Sequence, residues 1–317
     1  MVISLPRYRV STGRGVAAIV AATALLFFSS CFTGIESTAK VKLSREDKKL
    51  VAPTAEELFA RSFLPDTLKD WVRGRKFVVA DKRLSFVLPL ANGGSRDIGD
   101  TIVYEGVVER PSPGGSQHLW IQFRDGDSFR EYDTERPASE ALRRITSLEI
   151  PMLIDVGYVD KISDKLKNKE LYVRTSEWYD EVGNPIKGKK YIKVTLLGAL
   201  PGTERFPFKV GFRDEEGATR YLLMSAGQRG TDSRTFQSLF SMDDIRVHYK
   251  NISDTHWTLI EKGEVTVGMT REACRLSLGS PTGVSEGRDY ARLLDEWNYG
   301  DGKYLKFVDG LLTEFRL

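Results

Sequence analysis

The stretches "WIQFRDGD" (residues 120–127) and "FKVGFRDEEG" (208–217) decide how the fold is read. Each alternates apolar and polar residues and then breaks at an acidic, glycine-bearing turn, which is the pattern of a half-buried strand entering a hairpin. They start 88 residues apart, and their neighbours repeat in the same order. "VRGRKFVV" (72–79) parallels "LKNKELYV" (166–173), and "GDTIVYEGVV" (99–108) parallels "GKKYIKVTLL" (188–197), at offsets of 94 and 89 residues. Further β-rich runs, among them "TRYLLMS" (219–225), are broken by Gly, Pro, Asn and Asp. The spacing predicts two copies of one small β unit, each near ninety residues. The competing reading is a single larger β-sandwich with chance similarity.

The strand–turn–strand rhythm resembles the Src-homology-type barrels of bacterial envelope proteins, which implies two small β-barrel-like modules, at 61–137 and 138–250. The second is preceded by a linker helix within "RPASEALRRITSLE" (136–149), where Ser139 is a candidate cap. "PSPGGSQ" (111–117) reads as an exposed hairpin loop. "SAGQRGTDSR" (225–234) lacks the glycine–lysine spacing of a phosphate loop.

The last sixty-odd residues read differently. "SDTHWTLIEKG" (253–263) offers Ser253 or Asp254 as N-cap and Gly263 as terminator; Thr270 caps a second helix that Gly279 and Pro281 stop. "LLDEWNY" (293–299), "YLKFV" (304–308) and "LLTEFRL" (311–317) then read as three strands, the last two joined by Asp309-Gly310. Gly268-Met269-Thr270, Leu278-Gly279-Ser280-Pro281, Trp297, Tyr299 and Phe307 resemble the SmpA/OmlA (BamE-like) family of small outer-membrane lipoproteins, subunits of the β-barrel assembly machinery. The resemblance covers about sixty of 317 residues. It implies a β-lactamase-inhibitor-like α-α-β-β-β domain at 251–317 that binds partners and performs no catalysis. The fold class expected is therefore α+β.

At the other end, Gly15 to Phe28 is uncharged, Arg7, Arg9 and Arg14 precede it, and Glu36 is the first acid. A basic segment followed by a short apolar one is a secretory signal, too short to span a bilayer. Its close, Phe28-Ser29-Ser30-Cys31, resembles a bacterial lipobox. That implies a signal peptide at 1–30, lipidation of Cys31, and a lipid-anchored envelope protein of the outer membrane, facing the periplasm. An ordinary signal cleaved after Ser30 is the alternative. Residues 31–60, rich in Ser, Thr, Lys and Glu, read as a flexible tether.

Lys and Arg number 47 against 44 Asp and Glu; loss of the three signal arginines leaves the mature chain neutral. That balance argues against a nucleic-acid partner. His118, His248 and His256 have no zinc-ligand spacing, and no cofactor or metal is expected. The other cysteine, Cys274, reads as a buried helix residue beside Ala273 and Leu276. No catalytic residue is assigned. The candidate binding residues are the aromatics Trp120, Trp178 and Tyr179; of the last two, adjacent on a strand, one faces the core and the other is free to bind. The expected function is a non-catalytic envelope lipoprotein that binds or scaffolds a protein or peptidoglycan. The alternative is an envelope hydrolase acting on a glycan or peptide polymer through carboxylates not located.

Overall fold

A computed structural model describes residues 53–90, 94–112, 114–227, 232–289 and 292–317. The expected signal segment, Cys31 and the expected tether up to residue 52 lie outside them. The described chain is mixed α+β, with seven helices and sixteen strands in three antiparallel sheets.

The first sheet contains β1 (Lys76–Val79), β2 (Thr101–Pro111), β3 (Gln117–Asp125), β4 (Ser128–Asp133) and β5 (Leu153–Asp155), in the order β4-β3-β2-β1-β5. Leu119, Ile121 and Phe123 alternate inward along β3 and, with Phe77, Ile102 and Trp71, build its core. Between β1 and β2 lies the one-turn helix Leu84–Val87, whose Leu84 is buried. The second sheet contains β6 (Glu170–Val173), β7 (Glu177–Tyr179), β8 (Pro185–Lys187), β9 (Lys193–Pro201), β10 (Phe208–Arg213), β11 (Thr219–Met224) and β12 (Phe240–Ser241), in the order β12-β6-β9-β10-β11-β7-β8.

Neither sheet closes into a barrel among the described residues, which corrects the barrel expectation. β4 and β5 end the first sheet without pairing each other. Strand rhythm in a sequence records hairpins; closure depends on tilt and stagger, which the rhythm does not carry. The two meanders do share detail. In β2 the extra residue Glu105 forms a bulge opposite β3, and in β9 the extra residue Leu197 forms one opposite β10. Arg130 on β4 binds Asp125, and Arg220 on β11 binds Asp214, across the same hairpin position (Nε–Oδ2 2.6 and 3.0 Å).

Two helices pack in places the sequence did not indicate. Thr54 and Glu57 form a reciprocal capping box that starts a helix at Ala55–Arg61, within the expected tether. Glu56 then accepts from Ser241 Oγ and Met242 N (3.0 and 2.9 Å), and Phe59 packs on Phe236. The polarity of the segment hid these anchors, because its single apolar stripe is short. The helix Ala138–Arg144, expected to lead the second module, packs instead on the first sheet through Ala141 and Ile145; its N-cap is Pro137, not Ser139. Asp155 ends β5 and also caps the next helix, Val156–Leu166, accepting from Tyr158 N (3.2 Å). Arg75 grips the same carboxylate, with Nε 2.9 and 3.0 Å and Nη2 2.6 Å from its oxygens.

The C-terminal helices run Asp254–Lys262 and Arg271–Leu278, capped by Ser253 and Thr270 as the sequence predicts, with Gly263 left-handed at φ 70°. Their sheet has four strands where three were expected: β13 (Gly283–Asp289), β14 (Arg292–Gly300), β15 (Lys303–Val308) and β16 (Leu311–Arg316). β13 is the addition. It is an exposed edge strand of polar and small residues, so no apolar alternation marks it. Trp297, Leu305, Phe307 and Cys274 are buried between sheet and helices. Trp257 docks this unit on the second sheet, edge-to-face with Tyr191 at 6.1 Å, and the Tyr191 hydroxyl donates to Leu276 O (3.1 Å).

Candidate functional site

The alternation that sends Leu119, Ile121 and Phe123 inward leaves Trp120 and Gln122 on the outer face of the first sheet. β4 runs beside them with an inverted pattern. Arg130, fully buried, turns inward to Asp125 and to Leu88 O (2.6 Å each), and this pushes Phe129 out to 48% exposure. Leu84 and Leu88, four residues apart, bury on one side and leave Phe86 at 87% exposure on the other. Phe86, Val87, Pro89 and Leu90 form one wall of a cavity of about 860 Å³; Trp120, Phe129 and Tyr132 form the other.

The charged members of that lining are Glu131, Asp133 and Glu135, with no lysine or arginine among them. Glu131 accepts from Gln122 Nε2 (2.8 Å) and from both terminal nitrogens of Arg110. Burial would raise its carboxyl, but the Arg110 and Gln122 hydrogen bonds outweigh burial and hold it below the usual range. Arg110 also stacks on Trp120, its guanidinium carbon 5.6 Å from the ring. His118 Nδ1 meets Asp133 at 3.2 Å. The Trp120 Nε1 is buried and has no hydrogen-bond partner among the described residues, an arrangement that costs about 1–3 kcal/mol.

The structure does not bring the three candidate aromatics together. Trp178 is the core member of its pair: 5% exposed, edge-to-face on Phe212 at 5.0 Å, its Nε1 donating to Thr175 O (2.9 Å). It floors a smaller cavity of about 430 Å³ whose rim mixes Lys187, Lys189, Arg220 and Lys262 with Asp214, Glu215, Glu216 and Glu264. Several of those charges already satisfy each other, as in Lys189–Glu215 (2.8 Å) and Arg220–Asp214 (3.0 Å). Tyr179 is half-buried beneath the Arg234 guanidinium at 5.6 Å. Cys31 lies outside the described residues.

Of the residues lining this groove, Trp120 is named from the sequence, and Phe86, Phe129 and the three carboxylates are not. The signal for Phe129 was the phase of "SFREYD" (128–133), in which an arginine occupies an inward position. Among the described residues no group of three or more His, Cys, Asp or Glu is placed to hold a metal ion. No family model, no curated protein and no solved structure matches the chain.

Proposed function

We propose that this chain is a non-catalytic, lipid-anchored protein of the cell envelope, held in the outer membrane through Cys31, that binds a protein or peptidoglycan partner in the groove beside Trp120. The observation that supports the binding role is the groove: Phe86 and Phe129 are exposed there beside Trp120, and its charged lining residues are all acidic. Exposed apolar surface of this kind, edged by polar groups, is characteristic of interaction sites. The two β units are copies of one module, as their common bulge and Asp–Arg pair suggest. The C-terminal unit is a BamE-like partner-binding domain with an added edge strand. Anchorage rests on the lipobox-like Phe28-Ser29-Ser30-Cys31.

The test places a photo-crosslinking amino acid at Phe129 in the full chain, produced in cells labelled with a palmitate analogue. The expected result is an adduct that Trp120→Ala removes and that the same probe at exposed Val182 does not form. Acyl label should be lost in Cys31→Ala. Equal adducts at both positions, or none, overturn the groove; retained label overturns the anchor.

A further inference from the structure

The first sheet leaves open an edge that the second sheet fills. In the β3–β4 hairpin Phe123 pairs with Arg130, and in the β10–β11 hairpin Phe212 pairs with Arg220. Both arginines bind the aspartate at the start of their turn, and both hairpins follow the same bulge. Glu131 therefore corresponds to Tyr221. Tyr221 is paired antiparallel with Tyr179 of β7, and β7 with β8 extends the second sheet past β11. On the first sheet the equivalent edge holds one isolated antiparallel bridge, Leu90 to Arg130. Beyond it, from Glu131 to Asp133, β4 pairs with β3 on its inner side and with no strand on its outer side among the described residues. The acidic groove lies along this open stretch.

We propose that an extended segment of a partner protein, alternating basic and apolar residues, adds as an antiparallel strand to β4 at Glu131–Asp133. This rests on the groove reading above and names its ligand. Main-chain hydrogen bonds to an open edge supply affinity, and side chains at every second position supply selectivity. On β4 the alternation places Phe129, Glu131 and Asp133 on one face and Tyr132 on the other. Glu131 is already held by Arg110, so a strand with lysine or arginine beside Asp133 and Glu135, and apolar residues on the second face, complements the edge. The same charges disfavour a second copy of this chain, because two such edges would set carboxylate against carboxylate.

The full chain in neutral detergent is titrated into labelled peptides and followed by fluorescence anisotropy. The probes are an acetylated (Lys-Val)3 hexapeptide, its (Glu-Val)3 counterpart, and two (Lys-Val)3 peptides N-methylated at either the lysines or the valines. Only alternate N–H groups of an added strand face the sheet, and each bond is worth roughly fivefold in affinity. One methylated register should therefore lose more than about tenfold and the other about twofold or less. (Glu-Val)3 should bind at least about tenfold more weakly than (Lys-Val)3, and Asp133→Lys, checked for an unchanged melting temperature, should remove the preference. Equal binding of both methylated registers overturns strand addition. If soluble peptidoglycan fragments, and no peptide, block the Phe129 adduct, the groove stands and the peptide strand falls. Self-association competed by (Lys-Val)3 assigns the edge to a second copy and also overturns the proposal. If no probe binds and Phe129 forms no adduct, both readings fail together.

Discussion

Gly188→Ala should destabilise the protein far more than a single methyl normally would. A Cβ at Gly188 would fall inside contact distance of Cδ2, Cε2 and Cε3 of Trp178. The backbone cannot retreat easily, because Gly188 N donates to Ser176 O at 2.7 Å. The indole cannot retreat either: it rests on Phe212, and its Nε1 is tied to Thr175 O at 2.9 Å. Overpacking of this kind costs about 1–3 kcal/mol. If the ring slides off Thr175, the buried donor adds about 1–3 kcal/mol more. Each kcal/mol lowers the melting temperature of a domain this size by roughly 2–4 °C, so a fall of about 5–15 °C is expected by near-ultraviolet circular dichroism. Gly106→Ala, with no atom within 4 Å of the added carbon, is the matched control and should stay within about 0.5 kcal/mol of wild type. Combining Gly188→Ala with Trp178→Leu should cost little more than Trp178→Leu alone, since the clash is then gone. A Gly188→Ala protein that melts with the wild type would refute the stacking, and would return Trp178 to the set of free binding residues.

Three further outcomes follow from the cores. Trp297→Ala, removing a ring 2% exposed between Phe307 (4.8 Å) and the Arg275 guanidinium (4.9 Å), should cost about 3–5 kcal/mol by urea unfolding; an unchanged midpoint would mean the ring is free. Burial pushes the Cys274 thiol up to about 12, so maleimide should label native protein slowly at neutral pH and rapidly only in denaturant. Burial would also raise Asp125, but hydrogen bonds from Arg96 and Arg130 outweigh it and hold the carboxyl below its ordinary range. A depressed folded-state pKa gives stability that is complete above the unfolded value near 4 and is lost as pH falls through the folded value. Acid unfolding followed by tryptophan fluorescence should therefore steepen below about pH 4, and Asp125→Asn, which also breaks a buried pair at a cost of about 3–5 kcal/mol, should flatten that slope.

What the sequence shows and hides has particular causes. Ser253, Gly263, Thr270 and Gly279 are where they were expected, because caps are local chemistry that needs no tertiary partner. Leu119, Ile121 and Phe123 are legible from alternation alone. β13 is not, since an edge strand exposed on both faces has no reason to alternate. The helix Ala138–Arg144 shows its apolar side but not which sheet that side meets. For the site, Trp120 is visible as an aromatic at an outward phase. Phe86 and Phe129 become meaningful only once Arg130 is known to reach Leu88 O across 42 residues of chain.

The open edge has a topological origin. In each sheet a long segment joins the first two strands of the meander: between β1 and β2, of which residues 80–90 and 94–100 are described, and 174–192 between β6 and β9. Each reaches the far edge of its own meander, the first at Leu90 and the second at Tyr179. The second becomes the β7–β8 hairpin, pairs with β11 through Tyr179, and buries Trp178 on the way. The first spends its apolar residues differently, with Leu84 and Leu88 in the core, Phe86 outside, and only Leu90 bridged to β4. An unpaired edge invites unwanted association unless it is covered or charged. The second sheet covers its edge with a hairpin, whereas the first lines its edge with Glu131 and Asp133. Charge, unlike a hairpin, excludes identical edges while still admitting a basic strand. On that ground we propose the first sheet as the recognition surface, and the second as the scaffold that carries it and the C-terminal unit packed through Trp257 and Tyr191.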